Sequence, residues 1–300
     1  MKRLIVVVSV VLIVCIAAVY VLIPGTLQIT SILAVRCSAA GAARGLVRPD
    51  DWRTRWSGID GYVCRLRGSA FREMEVSIEK GGDSVASRFT ILSVGPMDSI
   101  ALQWNCQFKT SINPFRRVGQ YRLAVGMKQM MDATLGKMRL FLQHNENIYG
   151  IPLTNSMCND SALLVIRMHT PAYPSTREIY GAVGELRAYA RSGGARAINY
   201  PMLNVTHEDA GYATMVALSV DRRLNGTARI EPKRYVPWKV MIGEVKGGTY
   251  AAERGMVQLQ EYVSDHQKPA MGLPFQSLVT ERDQEPDSSK WVTRVVQAVP

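Results

Sequence analysis

The sequence lacks the short motifs through which most nucleotide and acyl chemistry can be read: it has no Gly-x-Ser-x-Gly, no P-loop and no Gly-x-Gly-x-x-Gly. Neither a nucleophile elbow nor a glycine-rich phosphate cradle is therefore legible along it. Histidine is scarce. His144, His169, His207 and His266 fall on different predicted elements, and none shares a metal-ligand spacing with another histidine or with a cysteine. Five cysteines occur without a CxxC pair, so no zinc site is expected. Cys15 sits in an apolar run. Cys37, Cys64, Cys106 and Cys158 leave two options open, a disulfide in an oxidising compartment or burial as small apolar side chains. No catalytic residue, metal site or cofactor is expected. Low-complexity tracts and long blocks of like charge are also missing. Three Asn-x-Ser/Thr triplets (Asn159-Asp160-Ser161, Asn204-Val205-Thr206 and Asn225-Gly226-Thr227) are read as coincidence.

What is present begins with residues 4–23, twenty positions without a charge, interrupted only by Ser9, Cys15 and Tyr20. At 1.5 Å per residue such a helix spans roughly 30 Å, the thickness of a bilayer's hydrocarbon core. Pro24-Gly25 ends it. A cleaved signal peptide has a shorter apolar region, about 7–15 residues, closed by a small-x-small site. This run instead ends Val21-Leu22-Ile23-Pro24, and no small residues precede Cys15 as a lipoprotein box requires. Residues 1–25 are accordingly expected to be an uncleaved anchor. Lys2 and Arg3 precede it and the next basic residue is Arg36, so the positive-inside rule puts Met1 in the cytoplasm. The rest of the chain then lies on the outer, periplasmic side of a bacterial cytoplasmic membrane. The net charge of +11 is spread along the chain, with eight arginines against three aspartates in residues 36–72. That stretch is simply a solvated surface or rests on anionic headgroups. Nucleic-acid binding, which calls for basic residues and stacking aromatics on one face, is not expected.

About 275 residues remain, enough for two domains of ordinary size. Residues 26–35 read as a strand, residues 38–46 as a short helix, and residues 71–79, 87–94 and 99–108 as an antiparallel meander turning at Gly81-Gly82-Asp83. After Pro114 a long helix carries Leu123, Met127, Met130 or Met131, Leu135, Met138 and Leu142 at helical spacing. This methionine-rich stripe is either core packing or a flexible lining for an apolar ligand. Together with Trp52 and Trp56 and the Asp83-x-x-x-Ser87-Arg88 stretch, residues 26–148 resemble the polyketide-cyclase/START-like superfamily, SRPBCC. The resemblance implies a helix-grip fold with a deep cavity between sheet and long helix. A linker is expected at residues 149–161.

The second half contains a partial repeat. Residues 163–209 slide without gaps onto 236–282 with seven identities in 47 positions, among them Met168/Met241, Leu186/Leu259, Tyr189/Tyr262 and Pro201/Pro274. Each copy reads strand, amphipathic helix, strand, strand. The helices at residues 177–191 and 251–266 offer Ile179/Val183/Leu186/Tyr189 and Met256/Leu259/Tyr262/Val263 as buried faces. Two βαββ units would pair into one domain. The turn Gly247-Gly248-x-Tyr250, the Leu273-Pro274-Phe275 opening of the last hairpin and the ending Glu285-Pro286-Asp287-Ser288-Ser289-Lys290-Trp291-Val292-Thr293 resemble the gyrase-inhibitor-like, or bacterial transcription effector-binding, domain over residues 162–300. That resemblance implies a pseudo-twofold pair of units with an aromatic-lined groove for small, often cationic or amphipathic molecules. Family members commonly carry a glutamate on the first strand of the final hairpin. Here the matching position is Gln276, which forms hydrogen bonds but neutralises no cation and serves as no general base. Trp238, Tyr250, Gln276 and Trp291 are the expected ligand-binding residues.

The fold class is thus expected to be α+β: one transmembrane helix, a helix-grip domain and a domain of two pseudo-twofold βαββ repeats. The expected function is membrane-tethered binding or sensing of a small amphipathic or aromatic molecule. A hydrolase of reactive small molecules, using Glu208 or Glu281, and an envelope scaffold for an unspecified protein partner are the alternatives.

Overall fold

The computed structural model describes residues 2–95, 98–159, 162–234 and 237–300. Met1, the side chains of Lys2 and Arg3, Asp160-Ser161 of the first glycosylation triplet, and Val236, the expected start of a strand, lie outside the described residues. The protein is α+β, with two antiparallel sheets and one apolar N-terminal helix. That helix, α1 (Lys2–Leu22), is long enough to cross a membrane: its segment Leu4–Leu22 has a mean hydropathy of 3.3 and none of it is buried. The chain divides into two compact units, Met1–His144 and Asn145–Pro300.

In the first unit, β1 (Thr26–Arg36) is followed by two short helices, α2 (Ala39–Leu46) and α3 (Pro49–Thr54). A meander comes next: β2 (Val63–Ala70), β3 (Glu73–Lys80), β4 (Asp83–Ser93) and β5 (Ser99–Lys109). The long α4 (Pro114–Leu142) closes the unit. The strand order β1-β5-β4-β3-β2 brings the first strand against the last, paired from Thr26↔Lys109 to Arg36↔Ser99. Lys80 pairs with Asp83 across Gly81 and Gly82, both at positive φ, as a two-residue hairpin turn matching the right-handed strand twist requires. Asn113 caps α4, its side-chain oxygen accepting from the N–H groups of Phe115 and Arg116, with Pro114 at the first helical position.

The buried stripe of α4, which includes Met127, Met130, Met131, Leu135 and Met138, packs into a core with Trp52, Trp56, Phe89 and Trp104. Trp52 meets Phe89 and Trp104 edge-on at 5.7 and 5.8 Å and donates to the Leu46 carbonyl at 2.7 Å. These aromatics are 0–1 % exposed. The methionines of the stripe, Met127, Met130, Met131 and Met138, are equally buried, at 0–1 % exposed. Burial raises the thiols of Cys64 and Cys106, on this inner face, to about 12 and about 11. Among the described residues no cysteine is in a disulfide.

The second unit begins with α5 (Asn145–Tyr149) and β6 (Leu153–Cys158). The stretch expected to be a linker therefore contains a strand of the sheet. Then come β7 (Ala162–Thr170), α6 (Thr176–Ser192), β8 (Met202–Glu208) and β9 (Gly211–Ser219). The second copy is β10 (Glu231–Arg234), β11 (Trp238–Lys246), α7 (Thr249–Asp265), β12 (Phe275–Leu278) and β13 (Val292–Ala298). All eight strands form one sheet, ordered β10-β7-β9-β8-β12-β13-β11-β6. The two expected βαββ units are β7-α6-β8-β9 and β11-α7-β12-β13, and each is preceded by a further strand that pairs with the other half: β6 with β11, and β10 with β7.

The repeat has an axis that can be named. Helices α6 and α7 are each 17 residues long and begin at Thr176 and Thr249, 73 positions apart. At the centre of the sheet Leu203 pairs with Gln276, also 73 apart, so each is the other's counterpart and the pseudo-twofold axis passes between them.

Candidate functional site

Alternation along the strands of the second unit separates two faces. On one, Leu164, Ile166, Leu203, Val216, Leu218 and Leu278 bury against Ile179, Val183 and Leu186 of α6. On the other, Leu163, Val165 and Ala217 form a separate cluster with Met202 and Met215 packed on it. Among the described residues, no helix contributes to the cavity of about 380 Å³ that opens on this second face. Its apolar wall includes Met202, Met215, Trp238, Leu273 and Phe275, from β8, β9, β11, the approach to β12 and β12 itself. Its polar groups are Asn204, Arg167, Lys233 and the Cys158 thiol, and no carboxylate lines it among the described residues. Arg167 is partly engaged by Glu231 at 3.3 Å, both half exposed. Asn204 is oriented by donating through Nδ2 to the Pro274 carbonyl at 2.7 Å. Chemically the cavity offers dispersion and stacking to an apolar body, one amide, and positive charge at its polar groups. Among the described residues it offers no carboxylate to a cation.

Of the four residues expected to share a groove, only Trp238 lines this cavity. Gln276 stands one position beyond Phe275 and so points to the helix-bearing face, where it is 6 % exposed. Tyr250, in the first turn of α7, is 77 % exposed. Trp291 is buried, donates from Nε1 to the Glu285 carbonyl at 2.8 Å and carries the Arg282 guanidinium 4.8 Å over its ring. Of the alternative hydrolytic carboxylates, Glu281 is held in an ion pair by Arg187 and Glu208 lies exposed beside His169. Neither reaches the cavity.

The helix-bearing face has a polar cluster that the sequence did not announce. Arg282 is 5 % exposed, donates from Nη2 to Thr293 Oγ1 at 2.6 Å and leaves Nε without a partner. Tyr173 Oη is buried beside the Gln276 amide, whose Oε1 is itself buried without a hydrogen-bond partner. Burial pushes the Arg282 guanidinium down and the Tyr173 hydroxyl up; the Gln276 amide and the charge of Arg282 partly oppose the shift at Tyr173. The residues missed by sequence reasoning, Met202, Met215, Lys233 and Phe275 above all, carried one usable signal. Once the repeat sets the strand register, alternate positions on β8, β9 and β12 must share the face opposite the helices.

No family model matches this chain, and no curated protein matches it. Among solved structures, the EcmrR C-terminal domain aligns over 50 % of this chain and 98 % of its own, at 13 % identity and a TM-score of 0.44. A hydrolase from Listeria innocua aligns over 49 % and 91 %, at 10 % identity and a TM-score of 0.39. SAV2435, solved bound to tetraphenylphosphonium, aligns over 49 % and 93 %, at 12 % identity and a TM-score of 0.33. These likenesses are too distant to carry a role across to this chain.

Proposed function

We propose that this protein is a membrane-tethered binder of small amphipathic molecules. In this reading residues 1–25 anchor it in a cytoplasmic membrane, and residues 26–148 form a helix-grip domain of SRPBCC type. Residues 162–300 form a gyrase-inhibitor-like effector-binding domain that takes the ligand. The observation that carries the reading is the apolar cavity on the helix-free face of the eight-stranded sheet. Its volume of about 380 Å³ falls within the range of small-molecule sites, roughly 300–1,000 Å³. Its ligand is an aromatic or aliphatic body with a neutral or anionic pole. A buried cation without a paired anion leaves several kcal/mol of desolvation unrecovered, and the lining contributes Arg167 and Lys233 rather than a carboxylate.

The test is tryptophan fluorescence of the full chain in detergent, titrated with a neutral aromatic, a medium-chain carboxylate and a lipophilic dication. The first two are expected to perturb Trp238 saturably and the dication not. Met215→Trp, which fills the cavity, is expected to abolish the response and leave the circular-dichroism spectrum unchanged. Tight binding of the dication alone, or full binding to Met215→Trp, overturns the reading.

A further inference from the structure

Helix α1 does not leave the first unit as a loose tether. Its last turns are clamped by the segment that joins β5 to α4. Tyr20 donates from its hydroxyl to the Ile112 carbonyl. Thr110 donates through its N–H to the Gly25 carbonyl at 2.9 Å and through Oγ1 to the Pro24 carbonyl at 3.0 Å. Arg117, 9 % exposed, donates from Nε to the Ile23 carbonyl at 2.8 Å, and its Nη2 reaches the same oxygen. The Arg117 guanidinium also sits 4.9 Å over the Tyr20 ring. A cation thus closes the carbonyl end of the helix, where orphan acceptors and the negative end of the dipole both favour it.

The clamp has a consequence for its neighbours. Ile112 and Phe115 flank the capping residue Asn113 and are 86 % and 82 % exposed. Because the Ile112 carbonyl accepts from Tyr20, the segment that carries both side chains lies against the end of the apolar helix. The charge around them has one sign. Lys109, Arg116 and Arg122 are exposed, and no Asp or Glu occurs between residues 109 and 131 or between residues 24 and 49.

We propose that the segment of residues 110–116 is a second membrane contact. Ile112 and Phe115 enter the interfacial layer beside α1, and the surrounding basic side chains meet anionic lipid headgroups. The inference rests on α1 being an anchor. If α1 spans the bilayer, Tyr20 lies in the interfacial belt where tyrosine is enriched, and the clamp brings Ile112 and Phe115 to that level. Two exposed large apolar side chains flanked along the chain by exposed basic residues match a headgroup boundary: apolar area is buried and positive charge meets the anionic surface. With two contacts instead of one, the first unit is held at a set inclination to the bilayer.

The experiment uses the full chain with Cys15→Ala and Cys158→Ser, reconstituted in vesicles of phosphatidylcholine and phosphatidylglycerol. Nitroxide probes are placed singly at Ile112→Cys and Phe115→Cys, with Val14→Cys as the control inside the apolar helix. Phe71→Cys, in the turn between β2 and β3 at the opposite end of the sheet and 84 % exposed, is the aqueous control. Relaxation by oxygen is compared with relaxation by a water-soluble nickel chelate. Probes at 112 and 115 are expected to favour oxygen, as at 14, with the opposite preference at 71. If 14 favours oxygen but 112 and 115 behave like 71, the second contact is refuted and the anchor stands. If 14 is also aqueous, the anchor reading falls and takes this proposal with it.

Discussion

Phe275 and Gln276 are adjacent in sequence and serve opposite faces of the sheet: the first lines the cavity, the second is buried towards the helices with its carbonyl oxygen unpartnered. A motif match aligned to a hairpin finds the strand but not the face, because a shift of one position inverts it. Arg282 poses a different problem. Its charge is buried over Trp291, and among the described residues no carboxylate pairs with it. Replacing a whole buried ion pair by apolar side chains of similar volume is commonly neutral or stabilising by about 1–4 kcal/mol, whereas removing one partner of a pair costs about 3–5 kcal/mol, and Arg282 has no such partner to strand. Arg282→Met is therefore expected to keep or raise the thermal midpoint of the second unit, followed by near-ultraviolet circular dichroism. A fall equivalent to about 3 kcal/mol or more would mean that the charge is compensated within the fold.

Among the secondary-structure elements, those read correctly from sequence share strong periodicity or a clear cap; the short helices α3 and α5 were not expected, and the missed strands share a position. β2, β6 and β10 were not expected as strands, and each lies at the edge of its sheet. An edge strand buries less of its surface, so its alternation is weak: β2 carries Arg65, Arg67 and a bulge between Leu66 and Gly68, and β10 tolerates Pro232. Helix α6 is the opposite case. Ser175 and Glu178 form a reciprocal capping box, the Glu178 carboxylate accepting from the Ser175 N–H at 2.8 Å and hydroxyl at 2.7 Å. Those hydrogen bonds hold the Glu178 carboxyl below the usual carboxylate range. A depressed carboxyl contributes stability that is complete above its unfolded value of about 4.3 and is lost as pH falls through the folded one. Ser175→Ala is expected to cost about 1 kcal/mol at neutral pH. Glu178→Gln is expected to flatten the acid limb of the unfolding midpoint against pH in the region below about pH 4.3. An unchanged acid limb in Glu178→Gln would assign that pH dependence to other carboxylates.

At the scale of the whole molecule, topology is the property most open to test. With α1 inserted and Lys2-Arg3 retained on the cytoplasmic side, both units lie outside. Alkaline phosphatase fused after Pro300 is expected to be active in bacterial cells and a cytoplasm-only reporter inactive; the reverse pattern would invert the orientation. The sequence by itself determined the features written in neighbouring residues: the apolar run of α1, the stripe of α4, the caps, and the 73-residue offset of the two copies. Each is local, since a period or a cap is complete within one element and owes nothing to the rest of the chain. Tertiary structure decided what depends on contacts between distant segments. Trp52, Trp104 and the methionines fill the first core, β6 and β10 exchange between halves, and Leu203 and Gln276 meet on the axis. Segment 110–116 comes to rest against the end of a helix some ninety positions earlier. Such contacts form where one buried surface finds another that satisfies its carbonyls and fills its voids, and nothing in the residues on either side of a segment specifies which surface that will be.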